Sequence, residues 1–159
     1  IRATIDDIRR VVHELRPPAL DDLGLVPALH VLAAKVGRPV GAAEGGGLRV
    51  DIDAPDDLPP LAAAVEVAAY RIVQEALTNI GKHARAATVR IGIDAAEGRL
   101  RIRVEDDGAG FDPSRIRRAG EHHGWGLMTM AERAEVIGGS FSIASRAGQG
   151  TLVSVEVPL

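Results

Sequence analysis

Residues 70–84, YRIVQEALTNIGKHA, sit inside the longest helical pattern of the chain, residues 61–83. Leu61, Val65, Ala68, Ala69, Ile72, Ala76, Leu77 and Ile80 recur at helical spacing and define an inward face. A second stripe is polar. Asn79, Lys82 and His83 follow Glu75 by 4, 7 and 8 positions, which puts all four on one helical face, distinct from the apolar one. A carboxylate one turn from an amide oxygen, with a cation beyond, suits a magnesium–phosphate site. Magnesium takes hard oxygen ligands and usually keeps waters and substrate phosphates, so one protein oxygen can suffice. Lys82 would then neutralise phosphate charge. Taken alone, the same stripe reads equally as a solvated polar face.

On both sides of this helix the pattern alternates between helical and extended. Upstream, residues 1–16 place Ile1, Ile5, Ile8, Val11, Val12 and Leu15 at helical spacing, and Pro17–Pro18 end or kink that helix. A second helix is expected over residues 25–36, a flexible loop over GAAEGGG at 41–47, and a strand where Leu48, Val50 and Ile52 alternate with Arg49, Asp51 and Asp53. Downstream, Val89, Ile91 and Ile93 mark one strand and Leu100, Ile102 and Val104 the next, with residues 94–99 as the turn of a hairpin. A helix is expected from Leu127 to Ile137, ended by Gly138 and Gly139, and then strands over 141–145 and 152–157 joined by RAGQG. This order predicts an α+β fold: a two-layer α/β sandwich with a mixed, mostly antiparallel sheet of about five strands and helices on one face. Period-two strands imply one buried and one more polar sheet face.

Composition narrows the function classes. The chain has 159 residues, 46% apolar and only 3% aromatic, so it can fold as one domain with a core of Val, Ile, Leu and Ala. A net charge of −3 offers no broad basic field for nucleic acid or an anionic membrane. The absence of cysteine excludes a disulfide framework and thiolate chemistry. No apolar run reaches the length of a membrane span. Because Ile1 already stands within a helical pattern, the chain is expected to be a piece of a longer protein.

Three further clusters carry chemistry. EDDGAGFD, residues 105–112, closes a strand with D-x-G-x-G at Asp106, Gly108 and Gly110. A carboxylate only accepts hydrogen bonds, which suits the exocyclic amine of adenine and disfavours the carbonyl of guanine. The glycines permit positive φ and close ligand approach to the backbone. In GWGLMTMAER, residues 124–133, Gly124 and Gly126 stand just before a helix whose first N–H groups make an anion site. GQGT, residues 148–151, is a tight turn that delivers Thr151 as a further hydrogen-bonding group. Each cluster has a plain structural alternative: an Asp-Gly turn, a glycine loop, a hairpin turn.

The order of the four clusters resembles the ATP-binding module of the GHKL superfamily, which has the Bergerat fold and includes DNA gyrase, MutL-type mismatch repair proteins and sensor histidine kinases. The resemblance covers about residues 48–159. YRIVQEALTNIGKHA resembles the asparagine box of sensor histidine kinases, in the subclass paired with helix-turn-helix response regulators. LRPPALDDLGL, residues 15–25, resembles that subclass's connector between dimerisation helices and ATP-binding domain. The resemblance implies that residues 1–16 end the second dimerisation helix, 17–47 form the connector and first helix, and 48–159 form the catalytic domain. It implies ATP and Mg2+ as cofactors. Asn79 would hold magnesium, Glu75 would be the catalytic base or water-orienting group, and Lys82 and His83 would face the phosphates. Asp106 would read adenine, with Gly108 and Gly110 shaping the pocket. Residues 111–123 would be a mobile lid, with Gly124, Gly126, Leu127 and Met128 its hinge and phosphate-facing end.

The implied activity is that of a protein histidine kinase. Its partners would be the dimerisation and histidine-phosphotransfer domain of the same protein, a homodimer in the parent, and the receiver domain of a response regulator. No nucleic-acid partner is implied. The domain would lie in the cytoplasm, with membrane anchoring of the parent left open, and the fragment's own state is left between monomer and weak dimer. Two alternatives are a GHKL serine kinase acting on an anti-anti-sigma partner, which would not need the connector, and a non-catalytic nucleotide-binding module. HELRPP, residues 13–18, resembles a phospho-accepting histidine box, yet His13 is only 66 residues before Asn79, and no second dimerisation helix fits in that interval. His13 is therefore read as an incidental helix residue, the acceptor lying upstream of this chain. His30 is expected on a helix surface, and His122 and His123 solvated in the lid.

Overall fold

A computed structural model describes residues 16–37, 47–114 and 125–159. The helix expected over residues 1–16, apart from Arg16, lies outside the described residues, as do nearly all of the 41–47 loop and the lid from residue 115 onward, with His13, His122, His123 and Gly124. Helices α1 (Pro18–Leu23) and α2 (Leu25–Val36) precede strand β1 (Arg49–Asp53). Helix α3 (Ala63–Asn79) runs into one π-helical turn (Ile80–Ala84), followed by β2 (Thr88–Ala96), β3 (Arg99–Asp106), α4 (Trp125–Val136), β4 (Ser140–Ser145) and β5 (Thr151–Pro158). The sheet order is β1-β2-β3-β5-β4, with β1 parallel to β2 and every other pair antiparallel. This is the expected mixed, mostly antiparallel sheet of five strands.

The parallel pair is joined by α3, so the polar stripe of that helix is fixed over the sheet by a crossover connection. Alternation along the strands decides what faces the helices. Val89, Ile91, Ile93, Leu100, Ile102 and Val104 are buried together with Ile72, Leu77 and Met130 from the helices. The opposite face carries charge: Arg101 pairs with Glu156 at 3.1 Å and Asp94 at 3.8 Å, and Arg103 with Asp94 at 3.5 Å. Those pairs lie across neighbouring strands in register (Asp94 opposite Arg101, Arg101 opposite Glu156), which keeps this face wetted and self-satisfied.

Three elements depart from expectation. The hairpin turn is Glu97–Gly98 alone, not six residues. Both turn residues have positive φ, 54° and 71°, the geometry that matches strand twist in a two-residue turn, so the strands pair up to Ala96 and Arg99. The double proline also starts a helix. Pro18 is the first residue of α1, where a missing N–H and a fixed φ are no handicap. The long helix widens at Ile80 into the π turn and stops at Arg85 in the left-handed conformation (φ 51°).

Helices α1 and α2 are not outriggers. Leu20, Leu25, Ala28, Leu29 and Leu32 are buried in the same core as Ile72 and Leu77 of α3. Pro17 is buried as well, and the Arg16 guanidinium donates to Glu66 of α3 at 2.6 Å and forms an ion pair with Asp21. His30 is exposed on α2, as its place on the helix surface implied. Among the described residues, no helix is long and apolar enough to cross a membrane.

Candidate functional site

Between α3, α4 and the ends of β3, β4 and β5 lies a cavity of about 540 Å3. Ala76 and Ile80 contribute from the long helix, Leu127 and Met130 from α4, and Val104, Ile143 and Val153 from the sheet. The walls are therefore mainly apolar. Asp106 and Thr151 line the cavity from directly paired positions of β3 and β5, and Asp112 lines it from the loop after β3. Asn79 and His83 border the same space from the long helix.

Asp106 is 5% exposed, the one buried charged side chain among the described residues. Its Oδ1 accepts the Gly108 N–H at 2.8 Å. Burial raises the carboxyl above its ordinary range, and the amide hydrogen bond from Gly108 opposes that rise. Two glycines let the backbone close around it. A Cβ at Gly108 would collide with the Ala84 carbonyl and come within 2.7 Å of the Asp106 carboxylate. At Gly110, φ is +58° and a Cβ would strike the Arg146 carbonyl. The neighbouring Asp107 points elsewhere. It accepts the Ala87 and Thr88 amides at 2.8 and 2.9 Å and the Thr88 hydroxyl at 2.6 Å, which ties the start of β2 to the end of β3. Those Thr88 and Ala87 donors hold its carboxyl below the usual range.

Glu75, which does not line the cavity, and Asn79, which does, both meet the first turn of α4. A Cβ on Gly126 would collide with Glu75 Oε1 and come within 3.1 Å of the Asn79 amide, so glycine is what allows this approach. The chemistry of Asn79 fits a magnesium ion bound mainly through phosphate and water: its side chain supplies one neutral hard oxygen, beside a carboxylate. Among the described residues no group of three or more His, Cys, Asp and Glu could hold a metal by itself.

The remaining expected site residues divide. Leu127, Gly110 and Thr151 line the cavity, and Gly108 stands against Asp106. Lys82 is exposed and does not line it, and Met128 is 52% exposed on the outer side of α4. Ala76, Asn79, Ile80 and His83 line the cavity at helical spacing, whereas Lys82 lies on the side of the helix shared with Glu75, which does not line it either; the π turn brings Ala84 into the lining. Two contributors carried no motif. Ile143 and Met130 look like ordinary core residues in the sequence. Ser145 is a hydrogen-bonding hub: its Oγ accepts the Phe111 N–H at 2.9 Å, donates to the Gly150 carbonyl at 3.0 Å and lies 2.9 Å from the Thr151 hydroxyl. The turn that follows is clamped to the glycine loop by the Gly148 N–H donating to the Ala109 carbonyl at 2.6 Å.

The cavity is partly open, with mainly apolar walls and a few polar groups, among them the Asp106 carboxylate and the Asn79 amide, a lining common to small-molecule sites. Comparison with known proteins agrees. Residues 64–159 match the family of histidine kinase-, DNA gyrase B- and HSP90-like ATPases. The signal transduction histidine-protein kinase/phosphatase DegS of Brevibacillus brevis is 30% identical over 159 residues, 100% of this chain and 39% of that protein. The sensor histidine kinase MctS of Rhizobium johnstonii is 37% identical over 155 residues, 98% of this chain and 32% of that protein. The oxygen sensor histidine kinase NreB of Staphylococcus carnosus is 34% identical over 159 residues, 98% of this chain and 42% of that protein. The chain thus spans roughly a third to two fifths of these relatives. Among solved structures, the histidine kinase domain of the blue-light activated kinase of Erythrobacter litoralis superposes with a TM-score of 0.66 at 25% identity, covering 86% of this chain and 59% of that one. By the match over residues 64–159 and the fold that carries it, the chain belongs to the histidine kinase-, DNA gyrase B- and HSP90-like ATPase family, among relatives that are sensor histidine kinases.

Proposed function

We propose that this chain binds Mg–ATP and donates the γ-phosphate to a histidine carried on the dimerisation domain of a longer parent, for relay to an aspartate on a response regulator. One observation carries the reading: Asp106 and Asn79 border a single cavity of about 540 Å3. In this reading Asp106 accepts from the adenine amine, and the apolar walls hold the base. Asn79 is the protein ligand of the magnesium, which supplies charge neutralisation along the phosphates. Glu75 stands beside Asn79 as the base that takes the proton of the incoming imidazole. The imidazole nitrogen bonds to the γ-phosphorus as the bond to the ADP oxygen breaks, a transfer that needs positioning and electrostatics more than covalent help. His83 borders the phosphate end. Lys82, exposed on the π turn, reaches toward the phosphates with its long side chain in this reading. Gly124, Gly126, Leu127 and Met128 form the hinge of the lid.

The division into 1–16, 17–47 and 48–159 follows from this reading as helix end, connector and catalytic domain. The test is titration of the chain with ATP in the presence and absence of magnesium, followed by mixing with a separate helical hairpin that bears a histidine, together with labelled ATP. Tight binding only with magnesium, and label on the hairpin but not on this chain, is the expected result. Binding without transfer under all conditions would reduce the chain to a nucleotide-binding module.

A further inference from the structure

Asp106 and Thr151 line the cavity from paired strand positions, and the direction of the Thr151 hydrogen bond is set by a residue outside the expected motifs. Ser145 has one hydroxyl proton and two lone pairs. Its proton goes to the Gly150 carbonyl at 3.0 Å, since Gly150 is buried and an unpaired buried carbonyl is costly. One lone pair takes the Phe111 N–H at 2.9 Å. The Thr151 hydroxyl, 2.9 Å away, must then donate into the second lone pair. Every hydrogen-bonding capacity of Ser145 is used, and Thr151 is left with lone pairs only for whatever enters the cavity it lines. Thr151 is the direct sheet partner of Asp106, whose ionised carboxylate likewise only accepts.

We infer that Ser145 is a specificity-determining positioning residue: by fixing Thr151 as an acceptor beside Asp106, it makes the base end accept amine donors and reject a ring carbonyl. The inference rests on the nucleotide reading and adds to it the residue that sets the polarity of the site. A threonine free to rotate would serve a carbonyl as readily as an amine, so Asp106 alone would discriminate less.

The test compares ATP with inosine triphosphate, which carries a carbonyl in place of the amine, by calorimetry on the folded chain. Ser145→Ala frees the Thr151 hydroxyl to donate, and the preference for ATP over inosine triphosphate should narrow about fivefold, the equivalent of one neutral hydrogen bond. Ser145→Thr keeps the hydroxyl and should keep the wild-type preference, an outcome that a merely structural role does not require. An unchanged preference in Ser145→Ala, or equal narrowing in both variants, overturns the assignment. If Ser145→Ala does not fold, Thr151→Val removes the accepting hydroxyl at nearly constant shape. It should narrow the preference by a similar factor, and an unaltered preference there is equally fatal. Wild-type protein that binds neither nucleotide refutes the nucleotide reading itself, a result distinct from failure of the Ser145 assignment.

Discussion

Replacing Asp106 by asparagine separates the binding role of this carboxylate from any structural one. The side chain is 5% exposed and accepts the Gly108 amide at 2.8 Å. Asparagine is nearly the same size, so no cavity forms. If its oxygen keeps the Gly108 hydrogen bond, its NH2 group faces the adenine amine, donor against donor. If the amide flips to present oxygen to the base, the NH2 group opposes the Gly108 N–H instead. One hydrogen bond is lost either way. A hydrogen bond to a charged group is worth about 1.5–3 kcal/mol, so the ATP dissociation constant should rise about 10- to 150-fold. Stability should move the other way or not at all, since burial already disfavours the charge that is removed. Calorimetric titration with ATP and a thermal melt of the apo protein together decide it. Wild-type affinity in Asp106→Asn would refute the adenine contact. A collapsed melting temperature would show that the carboxylate holds the loop rather than a ligand.

Three other outcomes follow from the same geometry. Burial raises the Asp106 carboxyl, and accepting from an amine needs the ionised form, so nucleotide affinity should fall as pH drops through that raised value, while Asp106→Asn loses this part of the pH dependence. The sign for the apo fold is opposite: the folded state holds this proton more tightly than the unfolded chain, so Asp106 adds stability as pH falls, whereas Asp107, held low by its Thr88 and Ala87 donors, withdraws stability as pH falls below the ordinary carboxylate range. Gly126→Ala puts a methyl into Glu75 Oε1 and against Asn79; magnesium-dependent ATP binding should weaken at least tenfold, and magnesium titrations that overlay the wild type would show that this contact does not shape the site. Leu29→Ala empties a side chain that is 0% exposed in α2, outside the family match at 64–159. It should cost about 2–5 kcal/mol and lower the melting temperature by about 5–15 °C. A melt within a degree or two of wild type would mean that α2 is a tether and not part of the core.

Much of this protein was determined by the sequence alone. The 3.6-residue spacing of Ile72, Ala76 and Ile80 and the period-two runs of Ile91, Ile93, Ile102 and Val104 are local signals, and local signals survive without tertiary information. They specified the helices other than α1, the five strands and the buried sheet face. The motif order, through its resemblance to a known family, pointed to Asn79, Asp106 and the glycines, and the structure shows at Gly108, Gly110 and Gly126 close approaches that a Cβ would block. Tertiary structure decided the rest. Ala84 joined the cavity wall because one π turn widened the helix, and no side-chain pattern announces a pitch change of one residue. Helices α1 and α2 joined the core because Leu20 and Leu29 share one buried cluster with Ile72 and Leu77, residues 43 to 57 positions further along the chain. Ser145 became a hub because the pairing of β4 with β5 set it opposite Thr151 and the loop after β3 brought the Phe111 N–H to its Oγ. A serine at the end of a strand has no periodicity to mark it. Its role exists only once three distant backbone segments meet, since hydrogen bonding depends on distance and angle in space and not on separation along the chain.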